Sequence, residues 1–156
     1  MFVADRSTVV RSFFYKTMAS LMIRLPDKKD HEGRIFPYLI SGLYDQNDDI
    51  RGTVFELIEE MGKNYEEEYE ADIREIKQLG FTPEWSFSGQ VRDSDLVLPL
   101  PFIHRPCLGA RILVRSYVRR YLPAIYKEIT DWIQEHRERA SQLLLCSILY
   151  TEEFMT

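Results

Sequence analysis

The stretch FPYLISGLYDQNDDIRGTVFELIEEMG, residues 36–62, breaks an apolar helical pattern at the polar knot DQNDD and resumes it at Ile50. At 3.6 residues per turn, Phe36, Leu39, Ile40 and Leu43 share one side of a helix, and Ile50, Val54, Leu57, Ile58 and Met61 share one side of another. The pattern is that of a helical hairpin. Pro37 suits the first turn of the leading helix, where its missing N–H costs nothing. Asp48 or Asp49 can cap the second helix, and Gly62 can stop it. Each helix carries an apolar side broader than one antiparallel partner can cover, so the pair needs neighbours. That requirement points to a repeat.

The same spacing returns in LPAIYKEITDWIQEHRERASQLLLCSILY, residues 122–150. Pro37 stands fourteen residues before Arg51, and Pro123 stands fourteen before Arg137; Asp45 and Asp131 each lie eight residues after their proline. A partial copy opens the chain, with Arg11 forty residues before Arg51, an interval of about one two-helix repeat. Tyr65, Tyr69, Ile73 and Ile76 make one further helical stripe, and Ala110, Leu113, Val114, Tyr117, Val118 and Tyr121 make another. Between these two stripes, residues 81–106 hold prolines at 83, 99, 101 and 106 and no helical period. A connection of that length is functional or poorly ordered. The pattern predicts seven helices, near 6–24, 34–45, 49–62, 65–79, 106–121, 123–134 and 136–149. The fold class is then all-α, with residues 1–156 forming a single solenoid segment of about 3.5 helical hairpins and one long insert near 81–106.

Composition narrows the function classes. A net charge of −5 argues against a dedicated nucleic-acid binder, and no apolar run approaches the roughly 20 residues that cross a membrane. The start MFVADRSTVV lacks the basic and apolar segments of a secretory signal, and two cysteines, Cys107 and Cys146, suit a reducing cytoplasm better than a disulfide framework. His104 and Cys107 have the spacing of a metal pair, but no second pair accompanies them, so no metal site is expected. His31, His104 and His136 are scattered, no nucleophile elbow is present, and no glycine-rich loop can cradle phosphate. No catalytic or cofactor residue is assigned, and the chain reads as a non-enzyme.

The order proline, apolar helix, aspartate-rich turn, Ile-Arg, second apolar helix resembles a HEAT repeat, in which the turn aspartate and the following arginine form a ladder between adjacent units. Asp45 and Arg51 match that pattern; Asp131 and Arg137 match it with His136 in place of the usual aliphatic residue. The middle unit departs from it. The runs RLPDKKDHEGRIFPYLISGLYDQNDDIRGTVFELIEEMGKNYEEEYEADIREIKQLGFTPEW and LPLPFIHRPCLGARILVRSYVRRYLPAIYKEITDWI are similar to the HEAT-repeat axonemal dynein assembly factors of ciliated eukaryotes. The resemblance implies a cytoplasmic scaffold that aids preassembly of dynein arms, with dynein chains and chaperones as partners and no nucleic acid, membrane, metal or cofactor. It also implies a fragment or short isoform of a longer solenoid. Two alternatives share these features: a generic HEAT or armadillo adaptor in transport or phosphatase assembly, and a helical enzyme whose site is assembled from distant residues.

Two charge and aromatic features are open to both a structural and a binding reading. Arg111, Arg115 and Arg119 recur at four-residue intervals, as a solvated face or as a row that meets an acidic client. Trp85 and Phe102 in the insert either dock a partner or fold back over helix ends. The first helix, with Val9, Phe13, Phe14 and Met18, reads as the second half of a hairpin, and its uncovered side predicts self-association.

Overall fold

The computed structural model describes residues 5–78 and 98–151. Six α-helices account for most of them: α1 (Thr8–Arg24), α2 (Lys28–Ile40), α3 (Asp48–Glu68), α4 (Glu70–Gln78), α5 (Leu108–Ile129) and α6 (Gln134–Thr151). A short 3₁₀ turn, Ser41–Tyr44, extends α2, and no strand occurs among the described residues. The Ser7 and Asn47 side chains cap α1 and α3 by accepting the N–H groups of Val10 and Ile50.

The helices form an all-α stack of HEAT-type hairpins. Helix α1 packs on α2 and α3, α5 packs against α3 and α6, and α2 touches both groups. One continuous core joins them. Tyr15, Ala19, Phe36, Leu39, Ile40, Val54, Ile58, Val114 and Tyr150 are all fully buried within it. Phe102, from the segment that precedes α5, sits between Phe55 and Tyr150 at ring-centroid distances of 5.4 and 5.3 Å, and so ties α3 to α6.

Four expectations from the sequence are corrected. Helix α2 opens at Lys28, so Pro37 lies inside it and not in its first turn. Its ring leaves the Gly33 carbonyl without the usual N–H, and the Arg120 guanidinium lies against Gly33, so close that a Cβ there would meet Nη1 at 1.8 Å. Pro123 is likewise interior to α5, which runs unbroken where two helices were expected; Tyr121 and Ile125, both buried, anchor it on either side of the proline. Gly62 does not stop α3. It is the point at which α5 comes closest. Finally, Asn47 and neither Asp48 nor Asp49 caps α3.

Candidate functional site

Three turns in the molecule are built alike. In each, an aspartate carboxylate accepts the backbone N–H two residues on: Ser7 N to Asp5 at 2.7 Å, Asn47 N to Asp45 at 2.9 Å, and Ile133 N to Asp131 at 2.9 Å. Such Asx turns arise because a short acidic side chain reaches its own backbone more easily than any distant group. Six residues after each aspartate an arginine, inside the next helix, donates Nη1 back to the aspartate carbonyl. The distances are 2.7 Å for Arg11 to Asp5, 2.7 Å for Arg51 to Asp45, and 2.9 Å for Arg137 to Asp131. Arg11 and Arg137 share Nη1 with the following carbonyl as well, that of Arg6 and of Trp132.

The turns differ in what the rest of the guanidinium does. Arg11 reaches across to the next turn and grips the Asp45 carboxylate with two bonds, Nε at 2.8 Å and Nη2 at 2.9 Å. Both partners are buried, and the carboxylate raises the pKa of the Arg11 guanidinium further. Arg51 turns its Nη2 to Asp48 on its own helix. Among the described residues no arginine is hydrogen-bonded to the Asp131 carboxylate; its second oxygen takes His136 Nδ1 at 3.1 Å, and its pKa is lowered first by the Ile133 N–H and then by His136. A cleft of about 500 Å³ borders the Arg11–Asp45 pair, with Arg6, Tyr15, Tyr44, Glu128 and Arg139 in its walls.

A second junction fixes the start of α5. Glu59 and Glu66, two turns apart on α3, accept the N–H groups that open α5: Cys107 N lies 3.1 and 3.2 Å from the two Glu59 oxygens, and Gly109 N lies 2.8 Å from Glu66. The negative charges sit where the helix dipole is positive. Between them the backbones touch. An added Cβ on Gly62 would fall 2.3 Å from Ala110 N, and one on Gly109 would fall 2.0 Å from the Gly62 carbonyl oxygen. Burial raises the pKa of Glu59 although Cys107 N–H opposes the shift, and burial pushes the Cys107 and Cys146 thiols up to about 12.

Asp45, Arg51, Asp131 and Arg137 thus all lie in the repeated turns, each arginine bonded to its own turn. The arginine that crosses between turns is Arg11, which lies forty residues before Arg51. Asp5 lies forty residues before Asp45 in the same way. Of the arginines at four-residue intervals, Arg111 is buried, Arg115 half-buried and Arg119 exposed. Phe102 is 3 % exposed and packs in the core. Trp85 lies outside the described residues. Among the aromatic side chains that face solvent are Trp132, 87 % exposed in the α5–α6 turn, Tyr126, 53 % exposed six residues earlier, and Phe13 on α1. Among the described residues no group of three His, Cys, Asp or Glu side chains is placed to hold a metal ion, and no helix is long and apolar enough to cross a membrane.

Comparison with known proteins places this architecture. Residues 99–156 match the family model described as the HEAT-repeat domain of dynein axonemal assembly factor 5, and residues 2–76 match one described as dynein axonemal assembly factor 5-like TPR repeats. Both halves of the chain thus resemble dynein axonemal assembly factor 5. It is 29 % identical to the dynein axonemal assembly factor 5 of Mus musculus over 147 residues, and 27 % identical to that of Xenopus laevis over 155 residues. The human protein of that name is 29 % identical, also over 147 residues. These alignments take in 94 %, 97 % and 94 % of this chain but only 16 %, 17 % and 16 % of the relatives, so the chain spans about one sixth of their length. No solved structure matches. The two family models carry different repeat names, TPR and HEAT, yet the Asp45–Arg51 turn under the first has the same bonds as the Asp131–Arg137 turn under the second.

Proposed function

We propose that this chain is a non-enzymatic, protein-binding scaffold module that acts in the cytoplasmic preassembly of axonemal dynein arms. The observation that carries the reading is the match of both halves of the chain to models of one dynein axonemal assembly factor, joined to an architecture of stacked hairpins. Stacked hairpins are suited to scaffolding because side chains from successive units line an extended surface while the turns hold the units in register. Arg119, Tyr126 and Trp132 are the exposed groups best suited to contact a client, since arginine and large aromatic side chains dominate interface energetics. Dynein chains and the chaperones that fold them are the proposed partners.

Affinity capture of the tagged chain from ciliating cells tests the reading. Recovery of dynein chains and chaperones, reduced in Trp132→Ala, is the expected result. Recovery of transport receptors or phosphatase subunits in their place would assign the chain to a generic adaptor and overturn the dynein role.

A further inference from the structure

The three turns differ in the residue three before each arginine, and that residue decides where the guanidinium points. It is Thr8 before Arg11, Asp48 before Arg51 and Gln134 before Arg137. Only Asp48 carries a negative charge that can pair with the guanidinium on its own helix, and it does. Arg11, freed of such a partner, spends its Nε and Nη2 edge on the carboxylate of the next turn. Arg137 is held in its turn as Arg11 is, with Nη1 bonded to two carbonyls, but it is half-buried, and among the described residues its Nε and Nη2 make no hydrogen bond. Its edge is held open in the geometry that binds a carboxylate elsewhere in the same molecule.

Asp5 is the complementary half. It forms the same Asx turn as Asp45, but among the described residues no guanidinium side chain is hydrogen-bonded to its carboxylate. The helices that follow these two groups carry matching apolar surfaces. On α1, Val9 is 77 % and Phe13 73 % exposed, while Phe14 and Met18 are half-buried; on α6, Leu145 is 39 % and Ile148 41 % exposed. Exposed charges differ in sign as well, with Lys16 and Arg24 along α1 and Glu138 and Glu135, the latter also paired with Arg139, along α6.

We infer that the α6 side of one copy of this chain docks the α1 side of a second copy, with Arg137 gripping the Asp5 carboxylate as Arg11 grips Asp45. The surface used on one copy differs from that used on the other, so the contact does not close on itself and produces growing stacks rather than a fixed dimer. The hydrogen-bonded charge pair supplies register, and the apolar side chains of α1 and α6 supply most of the attraction.

Sedimentation equilibrium of the intact chain over a range of concentrations tests this. The expected result is a weight-average mass that climbs continuously past the dimer. Asp5→Asn keeps the Asx turn but loses the charge, and should weaken association about ten-fold, as should Arg137→Lys, which keeps a donor to the turn but not the paired edge. Phe13→Glu, at an exposed position, should abolish it. Circular dichroism and thermal melting of each variant confirm that the fold is intact. The decisive arm uses charge exchange: Asp5→Arg and Arg137→Asp should each associate poorly alone, and associate with each other when mixed. A monomer at all concentrations would overturn the inference. So would a closed dimer that responds to Phe13→Glu but not to Asp5→Asn, Arg137→Lys or the mixed pair, because that behaviour belongs to symmetric contact between two α1 faces.

Discussion

The turn at residues 5–11 and the turn at residues 131–137 share their internal hydrogen bonds, yet they do different work. In the first, the arginine is buried and joins two hairpins through a doubly bonded carboxylate. In the second, His136 bonds the aspartate carboxylate within the same turn region, and among the described residues the arginine edge is open. The comparison separates two roles that one motif can carry. The bond from arginine to its own aspartate carbonyl shapes the turn, whereas the bond from the guanidinium edge to the next carboxylate joins units.

That separation can be broken by mutation. Arg11→Ala leaves the Asp45 carboxylate buried without its counter-ion and should cost about 3 kcal/mol, visible as a large fall in denaturation midpoint at unchanged slope. If Arg11→Ala costs no more than Arg137→Ala, the two turns are equivalent and the distinction fails. Next in size is Gly62→Ala at the α3–α5 contact. Its Cβ would press on the Ala110 backbone, which cannot swing aside as a side chain would, so a loss of about 1–3 kcal/mol is expected. A neutral result by chemical denaturation would show that α5 can slide along α3.

Arg51→Ala ranks third. It removes a charged donor to the half-buried Asp45 turn and an exposed pair with Asp48; the first should account for nearly all of a loss near 1.5 kcal/mol, and Asp48→Ala should change the melting temperature little. An Asp48→Ala loss as large as that of Arg51→Ala would shift the weight to the helix pair.

The smallest expected effect is in pH dependence, where two carboxylates have opposite signs. Glu59 has a raised folded-state pKa, so its contribution to stability is greatest in acid and declines as pH rises through that value. Asp131 has a lowered one, so its contribution is present above the ordinary aspartate range and is lost as pH falls through the folded value. Replacing Glu59 by Gln should therefore remove a gain in stability that wild type shows as pH drops from neutral toward the ordinary glutamate range. Replacing Asp131 by Asn should flatten a loss at still lower pH. Urea titrations at several pH values check both; parallel curves for wild type and Glu59→Gln would mean that Glu59 titrates as an exposed acid.

Much of this organisation can be read from the sequence, and the failures have physical causes. The apolar stripes of α2, α3, α5 and α6 and the paired Asp45 and Asp131 turns follow directly from periodicity and spacing. Pro37 and Pro123 mislead because local preference yields to packing: core contacts on both sides of each proline outweigh one lost hydrogen bond. Gly62 misleads because glycine serves equally as a helix stop and as a site of close approach, and only the partner, Gly109, distinguishes the two. Spacing reveals that Arg111, Arg115 and Arg119 share a face but not which part of that face another element covers. Arg11 was legible in principle. The forty-residue interval links it to Arg51, but nothing local states that a guanidinium bonds forward to the next aspartate as well as back to its own.

The claim that the rung runs from Arg11 to Asp45, and that no equivalent rung runs from Arg51 to Asp131, is tested most directly by paired double-mutant cycles in urea. The account predicts a coupling of about 2 kcal/mol between Arg11→Ala and Asp45→Ala, and a coupling within about 0.5 kcal/mol of zero between Arg51→Ala and Asp131→Ala. Equal couplings in the two cycles, or additivity at Arg11 and Asp45, would contradict it.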